Sequence, residues 1–231
     1  MSIPPAKSLV VDLGSGRFAV ETLHCLGQKC VGVEGQLADA CTGDPETFRD
    51  RLGWQPPRGA VLVVAFGGNP PSPASACNWD EELHLPLTRC FTFVRALGPP
   101  VRQAGGHVIV LLPATALLFD PARGAASTLH RAALGFFEAL RAEESEGPLR
   151  VSIAVLDEKE DAVAFAHRLG ALIKEGRMYS LPAMISEEML RSHFAPLVNA
   201  AANTPRAPDF PQPPTPMGEV YAREIEPHPP A

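Results

Sequence analysis

Apolar positions follow two alternating rhythms along the first 185 residues of the chain. Short runs at 9–11 (LVV), 30–35 (CVGVEG), 60–68 (AVLVVAFGG), 107–115 (HVIVLLPAT) and 149–156 (LRVSIAVL) have the length and β-branched content of strands buried on both faces. Between them, apolar residues recur at helical spacing over about 18–26, about 79–102, 124–143 (GAASTLHRAALGFFEALRAE) and 160–176. A shorter helix over 42–53 follows from an N-cap at Asp44, a proline at the first helical position and Gly53 past its end. The stretch 177–185 (RMYSLPAMI) predicts a last strand, and Pro86 predicts a kink in the helix that holds it. Strands alternating with helices give an α/β fold, a Rossmann-like doubly wound parallel sheet covered on both faces.

The rhythm stops near residue 200. Nine of the chain's 25 prolines fall after Asn203, with no periodicity around them. The organisation read from this is one domain over 1–200 and an extended or disordered Pro-rich tail over 201–231. Twenty basic against 26 acidic residues, without a long run of one sign, leave no footprint for nucleic acid or an anionic membrane. No stretch has the apolar length of a membrane span or the charged start and apolar core of a leader, so a cytoplasmic location is expected. The five cysteines include no C-x-x-C pair, and no metal site or disulfide framework is expected.

Candidate chemistry begins in the first turn. In a doubly wound sheet a ligand's phosphates or sugar sit at the carboxyl end of the first strand, where glycines permit close approach. DLGSGRF occupies that place with Gly14 and Gly16, Ala19 stands where a third glycine would fall, and Glu34 ends the second strand where an acid would hold a ribose hydroxyl. The stretch resembles the first motif of class I methyltransferases, which implies S-adenosylmethionine as a ligand, although Phe18 replaces that motif's third glycine.

From about residue 7 to 185 the order of elements resembles the short-chain dehydrogenase/reductase family, single-domain NAD(P)-dependent enzymes. The stretch most similar to it is GAASTLHRAALGFFEALRAEESEGPLRVSIAVL, which corresponds to the family's catalytic helix and the strand after it. The family's chemistry needs a tyrosine and a lysine four residues later on one helix face, the lysine lowering the tyrosine's pKa for proton exchange with the substrate. Register on RAALGFFEAL puts Ser127 at the tyrosine and Arg131 at the lysine. Ala114 stands at the family's substrate-orienting serine, with Thr115 beside it, and Pro86 at its relay asparagine. A serine hydroxyl is too weak an acid for the tyrosine's role without a neighbouring base. The interval from Glu34 to Val61 is short for the family, and DEKEDAVAF begins a helix where the family has its substrate lid.

Retained fold with abandoned chemistry is the expectation: a noncatalytic subunit, binding no cofactor of its own, paired as a heterodimer or heterotetramer with an active paralogue that carries NAD(P). Active and inactive subunits of this family are paired in the dehydrogenase that acts on a hydroxylated benzylsuccinyl-CoA in anaerobic toluene breakdown. The resemblance implies pairing through the helices about 79–102 and 123–145, and Phe91, Phe93, Phe136 and Phe137 are the candidate interface residues. The alternatives are an active NAD(P)-dependent reductase with its proton donor moved to Tyr179 or Tyr221, and an S-adenosylmethionine-dependent methyltransferase. Asp120, Ser127 and His130 read as surface polar residues at a helix start rather than a hydrolytic triad, and His107, His167 and His193 as structural or solvated.

Overall fold

The apolar runs become the strands of one sheet in the computed structural model, which describes residues 8–13, 30–33, 45–67, 73–118, 120–157 and 160–192. They are β1 (Ser8–Leu13), β2 (Cys30–Val33), β3 (Val61–Phe66), β4 (His107–Pro113) and β5 (Arg150–Leu156), with the two-residue β6 (Tyr179–Ser180) at one edge. The order is β2-β1-β3-β4-β5-β6, and every neighbouring pair is parallel. The chain's direction of travel across the sheet reverses between β1 and β3, the switch point at which doubly wound folds hold their ligands.

Alternation along the strands divides the core into two layers. Leu62, Val64 and Phe66 of β3 join Val108, Val110 and Leu112 of β4 under one helical layer. Val61, Val63 and Ala65 face the other way with Ile109 and Leu111, against Phe165, Leu169 and Leu172. A strand buried on both faces has no polar side to show, hence the unbroken apolar runs.

The helix α1 (Pro45–Leu52) closes where Gly53 takes φ +60° and donates to the carbonyl of Arg49 at 3.0 Å. The kink expected at Pro86 is a π-helical turn, Asp80–His84, ahead of α2 (Leu85–Gln103). Leu85 donates five residues back to the carbonyl of Asp80, and Pro86, lacking an N–H, sits in the first turn of the α-helix where none is needed. The helix α3 (Gly124–Glu143) has the range its periodicity predicts. In α4 (Ala162–Glu175) the Asp161 carboxylate caps Val163 and Ala164 at 2.9 Å each, and Gly176 ends the helix at φ +65°.

The strand expected over 177–185 is shorter than its pattern suggests. Only Tyr179 and Ser180 pair with β5, because Pro182 has no N–H to extend a ladder, and residues 187–192 turn helical. Arg168 ties this edge together. Its guanidinium donates to the carbonyls of Val155 and Ser180 at 2.8 Å each, meets both carboxylate oxygens of Glu160, and lies 5.0 Å over the Phe165 ring. No helix among the described residues is long and apolar enough to cross a membrane. The helix expected over about 18–26 and the tail over 201–231 lie outside the described residues.

Candidate functional site

The carboxyl ends of β3 and β4 meet the start of α3, and the side chains that converge there are Thr115, Ser127, His130 and Arg131. After β4 the chain forms two short 3-10 turns, Ala114–Ala116 and Pro121–Arg123, before α3 begins. The first turn closes through Leu117 and Leu118, whose N–H groups both reach the carbonyl of Ala114, at 3.0 and 2.9 Å. The Asp120 carboxylate caps Ala122 at 3.0 Å and opens the second.

Each polar side chain on this face of α3 is spent on that connection or on the end of β3. The Thr115 hydroxyl lies 2.8 Å from Nδ1 of His130, and Nε2 of the same ring lies 3.2 Å from the carbonyl of Gly67. A carbonyl only accepts, so Nε2 carries the proton and Nδ1 accepts from Thr115. Burial draws the His130 pKa down to about 4, with the bond to Gly67 opposing the shift, so the ring is neutral at ordinary pH. The Ser127 hydroxyl accepts a long bond of 3.4 Å from the Asp120 N–H, and the Arg131 guanidinium donates to the carbonyl of Leu117 at 3.2 Å.

The space beside these groups is filled with apolar side chains. Leu117 packs with Val155 and Ile185 in a cluster that also takes Ala114, Leu118, Leu181 and Leu190. On the other side, Gly124 runs so close to the 73–77 segment that a Cβ there would lie 2.8 Å from the backbone nitrogen of Ala74.

Among the positions singled out from sequence, Ala114, Ser127 and Arg131 are brought together at this edge. Ser127 and His130 are not surface residues: they are 0% and 1% exposed, because residues 126, 129, 130, 133 and 137 form the buried stripe of α3. That 3- and 4-residue spacing was the available signal for His130, and its pairing with Thr115 escaped the sequence reading. Pro86 lies on α2, at the junction described above. Gly14, Gly16 and Glu34 lie outside the described residues.

The four phenylalanines divide. Phe93 and Phe137, at 2% and 0% exposure, fill the core beneath α2 and α3 and have no surface to offer a neighbour. Phe91, 37% exposed, packs at a tilt of 53° on half-buried Phe136 with ring centroids 4.5 Å apart, and this pair alone of the four faces outward.

Tyr179, a candidate for a relocated proton donor, pairs with Ile153, three residues before the Leu156 that faces Pro113. At ~3.3 Å per residue it sits about 10 Å below the strand ends. Its hydroxyl is bonded to the Glu138 carboxylate, and burial together with that bond and charge pushes the phenol's pKa well above its ordinary value, the wrong direction for an acid. His107 is structural: its Nε2 lies 2.8 Å from the Ser152 hydroxyl, which donates onward to the carbonyl of Arg177. Among the described residues no group of three or more His, Cys, Asp or Glu is placed to hold a metal.

No family model matches the sequence, and no curated protein does. Solved structures do match by fold. The LigO apo form from Sphingobium is similar over 95% of this chain and 88% of its own, with TM-score 0.67 and 16% identity. A short chain dehydrogenase from Burkholderia cenocepacia in complex with NADP is similar over 89% of this chain and 100% of its own, at TM-score 0.59 and 18% identity. A short chain dehydrogenase/reductase from Burkholderia phymatum in complex with NAD matches over 82% of this chain and 85% of its own, at TM-score 0.60 and 16% identity. The chain therefore has the Rossmann-like fold of these dehydrogenases.

Ser127 and Arg131, which the resemblance aligns with the tyrosine and lysine, are both turned to the backbone of residues 117–120.

Proposed function

We propose that this chain is a noncatalytic short-chain dehydrogenase/reductase-like subunit that pairs with and stabilises an active NAD(P)-dependent dehydrogenase. The observation that carries the reading is the use of Ser127, His130 and Arg131 of α3 as ties to groups at Gly67, Thr115, Leu117 and Asp120. A proton donor for carbonyl reduction needs an acidic group facing substrate. Among the described residues, the hydroxyls that converge here are Thr115, which donates its hydrogen bond to an internal imidazole, and Ser127, which is fully buried.

The outward side of α2 and α3 favours the pairing. Thr128, Ala132, Gly135 and Ala139 make an exposed row on α3, and a Cβ at Gly135 would meet nothing within 4 Å. Small side chains let a partner's helix approach closely, and the Phe91 and Phe136 rings beside them supply apolar area to cover. The complex is a heterodimer or heterotetramer in which the partner carries NAD(P). The paired subunits of the benzylsuccinyl-CoA-type dehydrogenase are one precedent for such an arrangement.

The test is a thermal-shift titration of the folded chain with NAD(H), NADP(H) and S-adenosylmethionine, followed by co-expression with short-chain dehydrogenases from the same genome. A ligand at ~100 times its dissociation constant adds about 2.7 kcal/mol of stability. No shift with any nucleotide, and a stoichiometric complex whose partner loses stability when this chain is omitted, are the expected results. A nicotinamide shift accompanied by carbonyl reduction by the isolated chain would overturn the proposal, and a shift with S-adenosylmethionine would replace it with the methyltransferase reading.

A further inference from the structure

The opposite edge of the sheet, where the strands begin, carries a second feature. Two adjoining hollows of about 510 and 490 Å³ lie there, and both are lined by Arg58, Gln103 and Ala104. The first extends to Arg49 and Trp54, the second to Arg102. Each volume is in the range of small-molecule sites.

The backbone under this groove is fixed. The Arg58–Gly59 turn, with Gly59 at φ +69°, is held by the Gly59 N–H donating to the carbonyl of Ala104 at 2.8 Å and by the Ala60 N–H donating to that of Pro57 at 2.9 Å. The turn after α2 is closed by Gly105 and Gly106, which donate to the carbonyls of Arg102 and Val101 at 2.9 Å each. His107 donates to the carbonyl of Ala60 at 2.9 Å, so the two turns form one unit that presents Arg58 and Gln103 side by side.

The charge is the reverse of the chain's own. In a protein of formal net charge -6, Arg49, Arg58 and Arg102 come from three different segments to line the hollows, against the single acid Asp50. Asp50 meets its neighbour Arg49 at 3.5 Å, and Arg102 is paired with the buried Glu144. Arg58 is exposed, and among the described residues no ion pair or hydrogen bond engages it. A guanidinium fork matches carboxylate and phosphate oxygens two at a time. Trp54, Pro56, Pro99 and Pro100 of the lining are rigid, so ordering them around a ligand costs little side-chain entropy.

We propose that this groove binds a compact small-molecule polyanion, of the phosphate or polycarboxylate class, with Arg58 as its anchor and Arg49, Arg102 and Gln103 as flanking donors. The site is independent of the pairing proposed above and lies across the sheet from the strand ends at which doubly wound folds hold nucleotides.

Calorimetric titration of the full chain with pyrophosphate and with citrate tests this, using Arg58→Gln and, as a control of equal charge change outside the groove, Arg95→Gln on α2. Both side chains are exposed, and unchanged circular dichroism and melting temperature establish that the variants are folded. Binding of either probe that weakens about tenfold or more in R58Q and stays near wild type in R95Q is the expected result, with the preferred probe identifying phosphate or carboxylate as the ligand group. Equal weakening in both variants would mean diffuse attraction and would overturn the site. So would unchanged binding in R58Q, or no binding by either probe at concentrations on the order of 10 mM.

Discussion

Acidification from about pH 7.5 to about pH 4.5 is expected to remove a large part of the fold's stability through two buried imidazoles. His130 and His107 are 1% and 0% exposed, and burial lowers their pKa values from 6.5 to about 4 and about 3, with Arg150 and Arg141 adding to the shift at His107. In the unfolded chain both rings take up a proton as the pH falls through 6.5, while the native rings stay neutral. The unfolded state therefore binds more protons in this window, and stability declines as the pH drops: it is fully present above 6.5 and lost progressively toward 4. At ~1.36 kcal/mol per pKa unit, this descent costs roughly 2–3 kcal/mol for each histidine. Together that is about 5 kcal/mol, against a total of about 5–15 kcal/mol for an ordinary domain.

Other groups titrate over the same range, so the decisive comparison is between wild type and His130→Asn, each unfolded with urea at both pH values. At the higher pH the variant is expected to be less stable by about 2–3 kcal/mol, having lost the bonds to Thr115 and Gly67 and part of a buried ring. At the lower pH the gap should shrink to near zero, because the asparagine has no proton to take up on unfolding. Parallel loss of stability in the two proteins, with the gap unchanged, would refute the claim that His130 is held neutral in the native state.

Three further outcomes follow from the packing. Arg168→Ala should lower the unfolding free energy by about 3–5 kcal/mol in denaturant titration, since it strands the carboxylate of Glu160, which is 14% exposed, and frees two carbonyls; Arg168→Lys should recover only a minor part, having one ammonium for five contacts. Installing a tyrosine and lysine with Ser127→Tyr and Arg131→Lys should yield no carbonyl reduction in a coupled NAD(P)H assay, and it should lower the melting temperature, because a phenol ring cannot enter a fully buried serine site without overpacking worth about 1–3 kcal/mol or more. Gly106→Ala should destabilise the fold markedly in thermal denaturation, because its Cβ would stand 2.5 Å from the carbonyl oxygen of Ala60 and 2.6 Å from a Val101 methyl.

The sheet was legible because its determinants are local. Val61–Phe66 and His107–Pro113 announce themselves by unbroken apolar runs, and α3 by a stripe of constant spacing. The irregularity near Pro86 was equally local, a π-turn over Asp80–His84 just before the proline that opens α2. Where the pattern was weaker the outcome was decided by pairing: 177–185 has apolar residues enough for a strand, but the ladder stops at Ser180 ahead of Pro182. Phe93 and Phe137 show the same limit of periodicity. A helix face that covers a sheet and one that covers another subunit carry the same residues, and only the position of the sheet beneath α2 and α3 assigns these two rings to the core.

At the candidate site, register on α3 singled out Ser127 and Arg131 but not what they contact. Serine, histidine and arginine at 127, 130 and 131 look like polar residues at a helix start until the connection from Ala114 to Arg123 folds back over them. Each then reaches a different backbone or side-chain group: Ser127 the N–H of Asp120, His130 both Thr115 and Gly67, Arg131 the carbonyl of Leu117. These polar ties on the α3 side, with the Leu117, Val155 and Ile185 cluster beside them, hold this edge of the sheet. Replacing Ser127, His130 or Arg131 therefore breaks one tie each, and the edge is held by the set of them together rather than by any single side chain.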